Sequence, residues 1–268
     1  MSSPLLRGVA TMGRRATRTP RQLFSSTTLY DAEYRRSLDD PASFWAEAAS
    51  ALEWERFPDV ILDDSRAPFF YRWFADGSIS ICHNALDRHV RDGRGAQVAL
   101  SYISPVTGAK RQITYSELLT EVSHFAGALR AQGVGPGDRV LIYMPMIPEA
   151  AIAMLACSRL GAVHSVAFGG FGSKELAVRV DDAKPKAVVW GSCGLEPNRV
   201  VEYKPLLDEA LRLADHKVNF TVLVQREQAI VETVPGRDLL WEEVMADAEP
   251  VECVPMLSTD PLYLLYTR

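Results

Sequence analysis

Cysteine is scarce in this sequence and scattered. The four cysteines, at positions 82, 157, 193 and 253, stand 36 residues or more apart, so no CxxC-type zinc or redox pair is written in the chain. Thiols so scattered in 268 residues are expected to be reduced and mostly buried. Long apolar runs are also missing. The best stretch, 150–168, is broken by Arg159 and His164 and falls short of the roughly 18 apolar residues of a membrane span. There is no basic excess: the formal net charge is −5 and the pI 5.6, which argues against non-specific nucleic-acid binding. No G-x-S-x-G nucleophile elbow occurs, and His83, His89 and His124 lack metal-ligand spacing. No catalytic residue and no metal ligand is therefore read from the sequence. The rest is ordinary for a globular chain, with 47% hydrophobic and 24% charged residues. At about 150 residues per domain this gives one large domain or two small ones.

Acidic residues are absent from the first thirty positions, as is lysine. Five arginines (Arg7, Arg14, Arg15, Arg18, Arg21) stand there with nine Ser or Thr. Arg-rich, Ser-rich and acid-poor is the composition of a mitochondrial transit peptide, and no apolar region follows that would make a secretory signal. A disordered basic tail has a similar composition. Residues 1–29 are expected to be a leader directing the chain to the mitochondrial matrix.

Residues 31–95 are rich in aromatics, among them Phe44, Trp45, Trp54, Phe57, Trp73 and Phe74, broken by Pro41, Pro58, Pro68 and Gly77. This predicts short helices and turns packed on something larger. From about residue 98 the pattern is regular. Ala99–Ile103 and Gln112–Thr114 flank a turn at 105–108, predicting a hairpin. Thr114 and Glu117 form a T-x-x-E capping box, followed by apolar residues at helical spacing up to Gly133. Strands are predicted at 139–144, 162–168, 187–191 and 220–225, and helices at 148–160, 174–183 and 202–214. Alternation of this kind means right-handed βαβ units and a parallel sheet with covering helices, an α/β fold. The stretch 227–255 is expected to meander, and a last apolar run covers 262–267. That run, left at a terminus, is expected to be a poorly protected strand.

Single residues carry little. Phe168–Gly172, between a strand and a helix, suits a phosphate-binding turn or simply tight packing, and is not a G-x-G-x-x-G fingerprint. His164, in an apolar strand, is expected to be a satisfied core histidine, and Cys157, on an apolar helix, a core thiol. Arg199 suits a surface ion pair with Glu202 one helical turn away.

Longer strings say more. Gly137-Asp-Arg-Val-Leu-Ile-Tyr-Met-Pro-Met-Ile-Pro-Glu149 and Met154-Leu-Ala-Cys-Ser-Arg-Leu-Gly-Ala-Val-His-Ser-Val-Ala-Phe-Gly-Gly-Phe171 closely resemble the AMP-forming short-chain acyl-CoA synthetases, the acetyl- and propionyl-CoA synthetases of the adenylate-forming superfamily. Trp73-Phe-Ala-Asp-Gly77 and Asn84-Ala-Leu-Asp-Arg-His89 resemble that family's N-terminal segment. Ser192-Cys-Gly-Leu-Glu-Pro-Asn-Arg-Val-Val-Glu-Tyr-Lys-Pro205 resembles its propionyl branch. The resemblance covers residues 30–267.

It implies three segments: the leader 1–29, an acetyl-CoA-synthetase-type N-terminal segment 30–95, and the first part of the AMP-binding domain from 96 to 268. It implies ATP, Mg²⁺ and coenzyme A as cofactors, small-molecule substrates, and acetate or propionate activation to an acyl-adenylate with transfer to coenzyme A. Glu196, Pro197, Asn198 and Arg199 match the family's coenzyme A segment, with Asn198 in place of the usual Gly. Gly169 and Gly170 resemble the glycines beside its pantetheine tunnel. The family's phosphate loop begins Tyr-Thr-Ser-Gly. Here Tyr266-Thr267 precedes Arg268, which makes Thr267 the one ATP-loop residue. On this reading the chain is an incomplete large N-terminal domain, expected to be inactive alone. The rival is a non-catalytic isoform that binds coenzyme A or a protein partner. A nicotinamide-dependent Rossmann enzyme is disfavoured, since Met144-Pro-Met-Ile-Pro148 cannot make a glycine-rich pyrophosphate turn.

Overall fold

The computed structural model describes residues 25–267, so the leader expected over residues 1–29 lies outside the described residues up to position 24. The chain divides into two compact units, one up to Ala51 and one from Leu52 on. In the first, helix α1 (Ser25–Asp39) precedes α2 (Pro41–Ala49). Asp40 accepts from the Ser43 amide at 3.2 Å and Pro41 takes the first helical position, where its missing N–H costs nothing.

The second unit opens with the short strands β1 (Leu62–Arg66), β2 (Phe70–Trp73) and β3 (Ser78–Ile79), then two π-type turns at His83–Asp87 and Val90–Arg94. The predicted hairpin is β4 (Val98–Ile103) with β5 (Lys110–Thr114). The capping box is present: the Thr114 hydroxyl accepts from the Glu117 amide, and Glu117 accepts from the Thr114 amide at 2.8 Å. It starts α3 (Tyr115–Ala131). The following elements are β6 (Arg139–Met144), α4 (Pro148–Arg159), β7 (Val163–Phe168), α5 (Ser173–Ala183) and β8 (Ala187–Gly191).

A hairpin that the sequence reading did not expect follows: Cys193–Glu196 (β9) and Arg199–Glu202 (β10) pair antiparallel, and the helix predicted over 202–214 comes after it as α6 (Lys204–Leu213). Then come β11 (Phe220–Val224), β12 (Asp238–Leu240), α7 (Trp241–Ala246), β13 (Met256–Leu257) and β14 (Tyr263–Leu264). The stretch 227–255, expected to meander, thus holds a strand and a helix, and just beyond it β13 pairs with β3.

Six strands form one parallel sheet in the order β12-β11-β8-β6-β7-β14. The sheet divides the core. Val140, Ile142, Met144, Val189 and Val222 face α3, α4 and α7, and Leu141, Tyr143, Val188, Trp190 and Leu223 face α5 and α6. Each fully buried side chain of this size contributes about 1.5–3 kcal/mol. The cover thins at one edge. On β7, Val166 and Phe168 are exposed, and β14 beyond it pairs through only two residues, Tyr263 with His164 and Leu264 with Ser165.

Candidate functional site

In an open parallel sheet, ligands sit outside the carboxyl ends of the strands where the chain reverses its direction of growth. That point here is β6, because β7 was added on one side of it and β8 on the other. A cavity of about 400 Å³ lies at this position. Its wall includes Pro145 and Met146 after β6, Phe168 at the end of β7 with Gly169 and Gly170 after it, Gly194 and Glu196 of β9, and Arg226 after β11. Tyr102 and Ile103 of β4 also line it.

Tyr203 shapes the floor. It is 1% exposed, and its hydroxyl donates to the Gly169 carbonyl at 2.5 Å. A Cβ at Gly169 would stand 2.5 Å from that hydroxyl, and one at Gly194 would stand 2.1 Å from it. Both positions are glycine because a buried ring cannot retreat from either. Burial pushes the Tyr203 phenol up to about 12, so it is a neutral donor. Tyr143 beneath it donates to the Phe171 carbonyl at 3.0 Å, which fixes the glycine loop from its other end.

The charged groups lie at the rim. Arg226 lines the cavity and donates through Nη1 to the Cys193 carbonyl at 2.9 Å, while its amide donates to Ser192 Oγ at 2.9 Å. Arg199 does not pair with Glu202, since the two lie on one strand and not on a helix. It forms a fork with Glu196 across the β9–β10 turn, Nε to Oε2 at 2.8 Å and Nη2 to Oε1 at 3.1 Å. The Arg199 guanidinium holds the Glu196 carboxyl below its ordinary range.

Of the residues singled out in the sequence, Gly169, Gly170 and Glu196 share the cavity wall. Pro197, Asn198 and Arg199 form the exposed tip beside it. Thr267 lies past the end of β14, beyond the pocket wall. His164 differs from expectation. It is half-buried, and its Nδ1 is buried without a hydrogen-bond partner, so burial pushes its pKa down. Tyr102, Tyr203 and Arg226 were missed. The signal for Arg226 was a lone cation straight after an apolar strand, but nothing in the sequence says which strand ends share an edge.

Residues suited to Mg²⁺ are not gathered here. Among the described residues, the one grouping of three His, Cys, Asp or Glu ligand atoms is Cys82, Asp87 and Cys253, none of which lines this cavity. No helix among the described residues is long and apolar enough to cross a membrane.

Comparison with known proteins shows which families and folds the chain is similar to. Residues 86–267 match the AMP-binding enzyme family and residues 30–85 match the acetyl-coenzyme A synthetase N-terminus. The chain is 50% identical to rat (Rattus norvegicus) acyl-CoA synthetase short-chain family member 3, mitochondrial, over 89% of its own length and 35% of that protein. It is 46% identical to the propionate–CoA ligase of Salmonella typhimurium, over 87% of itself and 37% of that protein. Its fold matches the solved acetoacetyl-CoA synthetase from Streptomyces lividans with a TM-score of 0.78 at 24% identity, over 87% of this chain and 35% of that one. The chain thus spans little more than a third of the length of these relatives.

Proposed function

The chain belongs to the AMP-binding enzyme family, in its short-chain acyl-CoA synthetase branch, and from that premise we propose that its carboxyl-edge cavity receives coenzyme A. The whole reaction proposed is activation of a short-chain carboxylate, propionate or acetate, by ATP and Mg²⁺ to an acyl-adenylate, followed by acyl transfer to the coenzyme A thiol. The proposed division of the chain is a leader 1–29 for the mitochondrial matrix, an N-terminal segment 30–95, and the adenylate-forming domain from residue 96. The relatives named as mitochondrial support the location.

The observation that carries the proposal is the joining of a side-chain-free wall, Gly169 and Gly170, to the Arg226 guanidinium on the same wall and to Arg199, which grips the lining residue Glu196 from the tip beside it. A slender thiol arm fits along glycine, and phosphates suit guanidinium forks. The Glu196 carboxylate already occupies the Arg199 fork, so an arriving phosphate must displace it. Pro197 and Asn198 hold the turn that presents the fork. Thr267 is assigned to the start of the ATP phosphate loop.

The test is calorimetric titration of the full chain with coenzyme A. Arg199→Ala should weaken binding by about tenfold, the loss of one charge-assisted contact. Glu196→Gln should strengthen it, because the fork is then free. No binding, or the same affinity in both variants, overturns the assignment.

A further inference from the structure

Two cysteines that lie far apart in the sequence meet on the opposite side of α4. Cys82 precedes the first π-type turn and is fully buried. Cys253 lies between α7 and β13 and is half-buried. Their Sγ atoms and a carboxylate oxygen of Asp87 all lie within 4.8 Å of one another. Arg159, at the end of α4, is 3% exposed and fills the space between them. Its Nη1 donates to Asp87 at 2.9 Å, to Cys253 Sγ at 3.0 Å and to Cys82 Sγ at 3.6 Å. Its Nε donates to the Val251 carbonyl at 2.5 Å, so the guanidinium cannot swing away.

That guanidinium decides what the cluster can do. Two thiols and a carboxylate at this spacing resemble a metal site, but a fixed cation among the ligand atoms repels a second one. The same cation favours a thiolate. Cys253 also has an approach from solvent. It lines a cavity of about 170 Å³ with Glu53, Ser80 and His83, room enough for a small oxidant.

We propose that Cys253 and Cys82 are a peroxide-reactive dithiol that closes to a disulfide. The Cys253 thiolate attacks one oxygen of hydrogen peroxide, the O–O bond breaks, and Cys253 becomes a sulfenic acid while hydroxide leaves and is protonated to water. The Cys82 sulfur then attacks the Cys253 sulfur, and the sulfenic hydroxyl leaves with the Cys82 proton as a second water. Two thiols lose two electrons and one peroxide becomes two waters.

The division of roles follows from the surroundings. Cys253 opens on the cavity, and its contact with Cys82 holds its thiol below the ordinary value, with Ser80 and Arg159 adding to this while burial and the Asp87 carboxylate, to which its S–H donates, oppose it. Cys82, which is fully buried, is pushed up by its contact with Cys253 and by burial. The half-buried Cys253, which faces the cavity, is thus the attacking sulfur, and the fully buried Cys82 resolves it. The bond would tie the start of the π-type turns to the segment that leads into β13, next to the Met256–Ile79 pairing. Since the two sulfurs need to approach to about 2.05 Å, closure takes a side-chain rotation at one of them.

The full reduced chain, treated with hydrogen peroxide, alkylated and mapped by mass spectrometry, tests this. Two of the four thiols should vanish together, the chain should lose two hydrogens, and one cross-linked peptide pair should hold residues 82 and 253. A thiol reductant should reverse the change, and the oxidised chain should melt at a higher temperature, as expected when a long loop is closed. Cys82→Ser should leave Cys253 as a sulfenic acid trapped by dimedone. Three results overturn the proposal: four thiols still alkylated after peroxide, Cys253 gaining two oxygens without a cross-link in the unaltered chain, or Zn²⁺ alone protecting both cysteines at one ion per chain.

Discussion

Tyr203 and Gly169 are joined by a 2.5 Å hydrogen bond from hydroxyl to carbonyl, which ties the loop after β7 to the residue that precedes α6. The same hydroxyl leaves 2.1 Å for a Cβ at Gly194. Gly194→Ala should therefore destabilise the chain by about 1–3 kcal/mol, the usual cost of overpacking. Tyr203→Phe alone should cost about 1–3 kcal/mol, since it leaves a buried carbonyl unpaired. In the double variant the losses should be less than additive, because the nearest clashing atom is gone, although the ring Cζ, at 2.8 Å, still crowds the new Cβ. Urea unfolding of the three variants checks this, and strictly additive losses would show that the hydroxyl is not what excludes a side chain at 194.

Arg159 joins Asp87 through two 2.9 Å hydrogen bonds. Arg159→Met should destabilise by about 3–5 kcal/mol, because it strands Asp87 and the Val251 carbonyl without their partner. A loss below 1 kcal/mol in thermal or urea unfolding would count against that pairing.

Acid should weaken the fold through Asp238. Its carboxylate accepts from Thr221 Oγ1 at 2.9 Å, from the Val234 amide at 2.9 Å and from Arg237. Burial raises its pKa, but these donors outweigh burial and hold it below the ordinary value. A lowered folded-state pKa gives stability that is complete above the unfolded value, about 3.9, and is lost as pH falls through the folded one. Unfolding free energy measured from pH 6 to pH 2 should drop at the acid end, and Asp238→Asn should flatten that drop while lowering stability at pH 6.

Pyrophosphate exchange is the measurement for the first half-reaction. The cavity at the sheet's carboxyl edge is lined by one cation, Arg226, and by no lysine. The 268-residue polypeptide alone should show no ATP–pyrophosphate exchange with acetate or propionate. Exchange above a heat-killed control would show that the groups present suffice.

Import tests the leader. Residues 1–35 fused to a fluorescent reporter should give a mitochondrial signal and a shortened product. A diffuse cytosolic signal at full length would refute it.

The sheet was legible because its signals are local. Apolar runs such as Arg139–Met144 and the Thr114–Glu117 box state their own structure. The β9–β10 hairpin was not legible. Its turn is the pair Pro197-Asn198, and its strands alternate weakly, with Val200 exposed beside Arg199, so period-2 patterning gave no warning. Glu196, Gly169 and Gly170, which line the cavity, were singled out through longer matching strings. Arg226, Tyr203 and the Cys82–Cys253 meeting depend on which strand ends and loops the topology brings together.

The pairing of β14 with β7 sets an order of events on the ribosome. Ser165 donates to the Leu264 carbonyl, 99 residues later in the chain. At about 5–20 residues per second, β7 emerges and then waits roughly 5–20 seconds before its outer neighbour is made. During that interval its free edge, with Val166 and Phe168 facing outward, is open to any other extended segment nearby. A chaperone that recognises apolar extended chain should therefore engage the nascent protein most strongly in the window between the synthesis of β7 and that of β14.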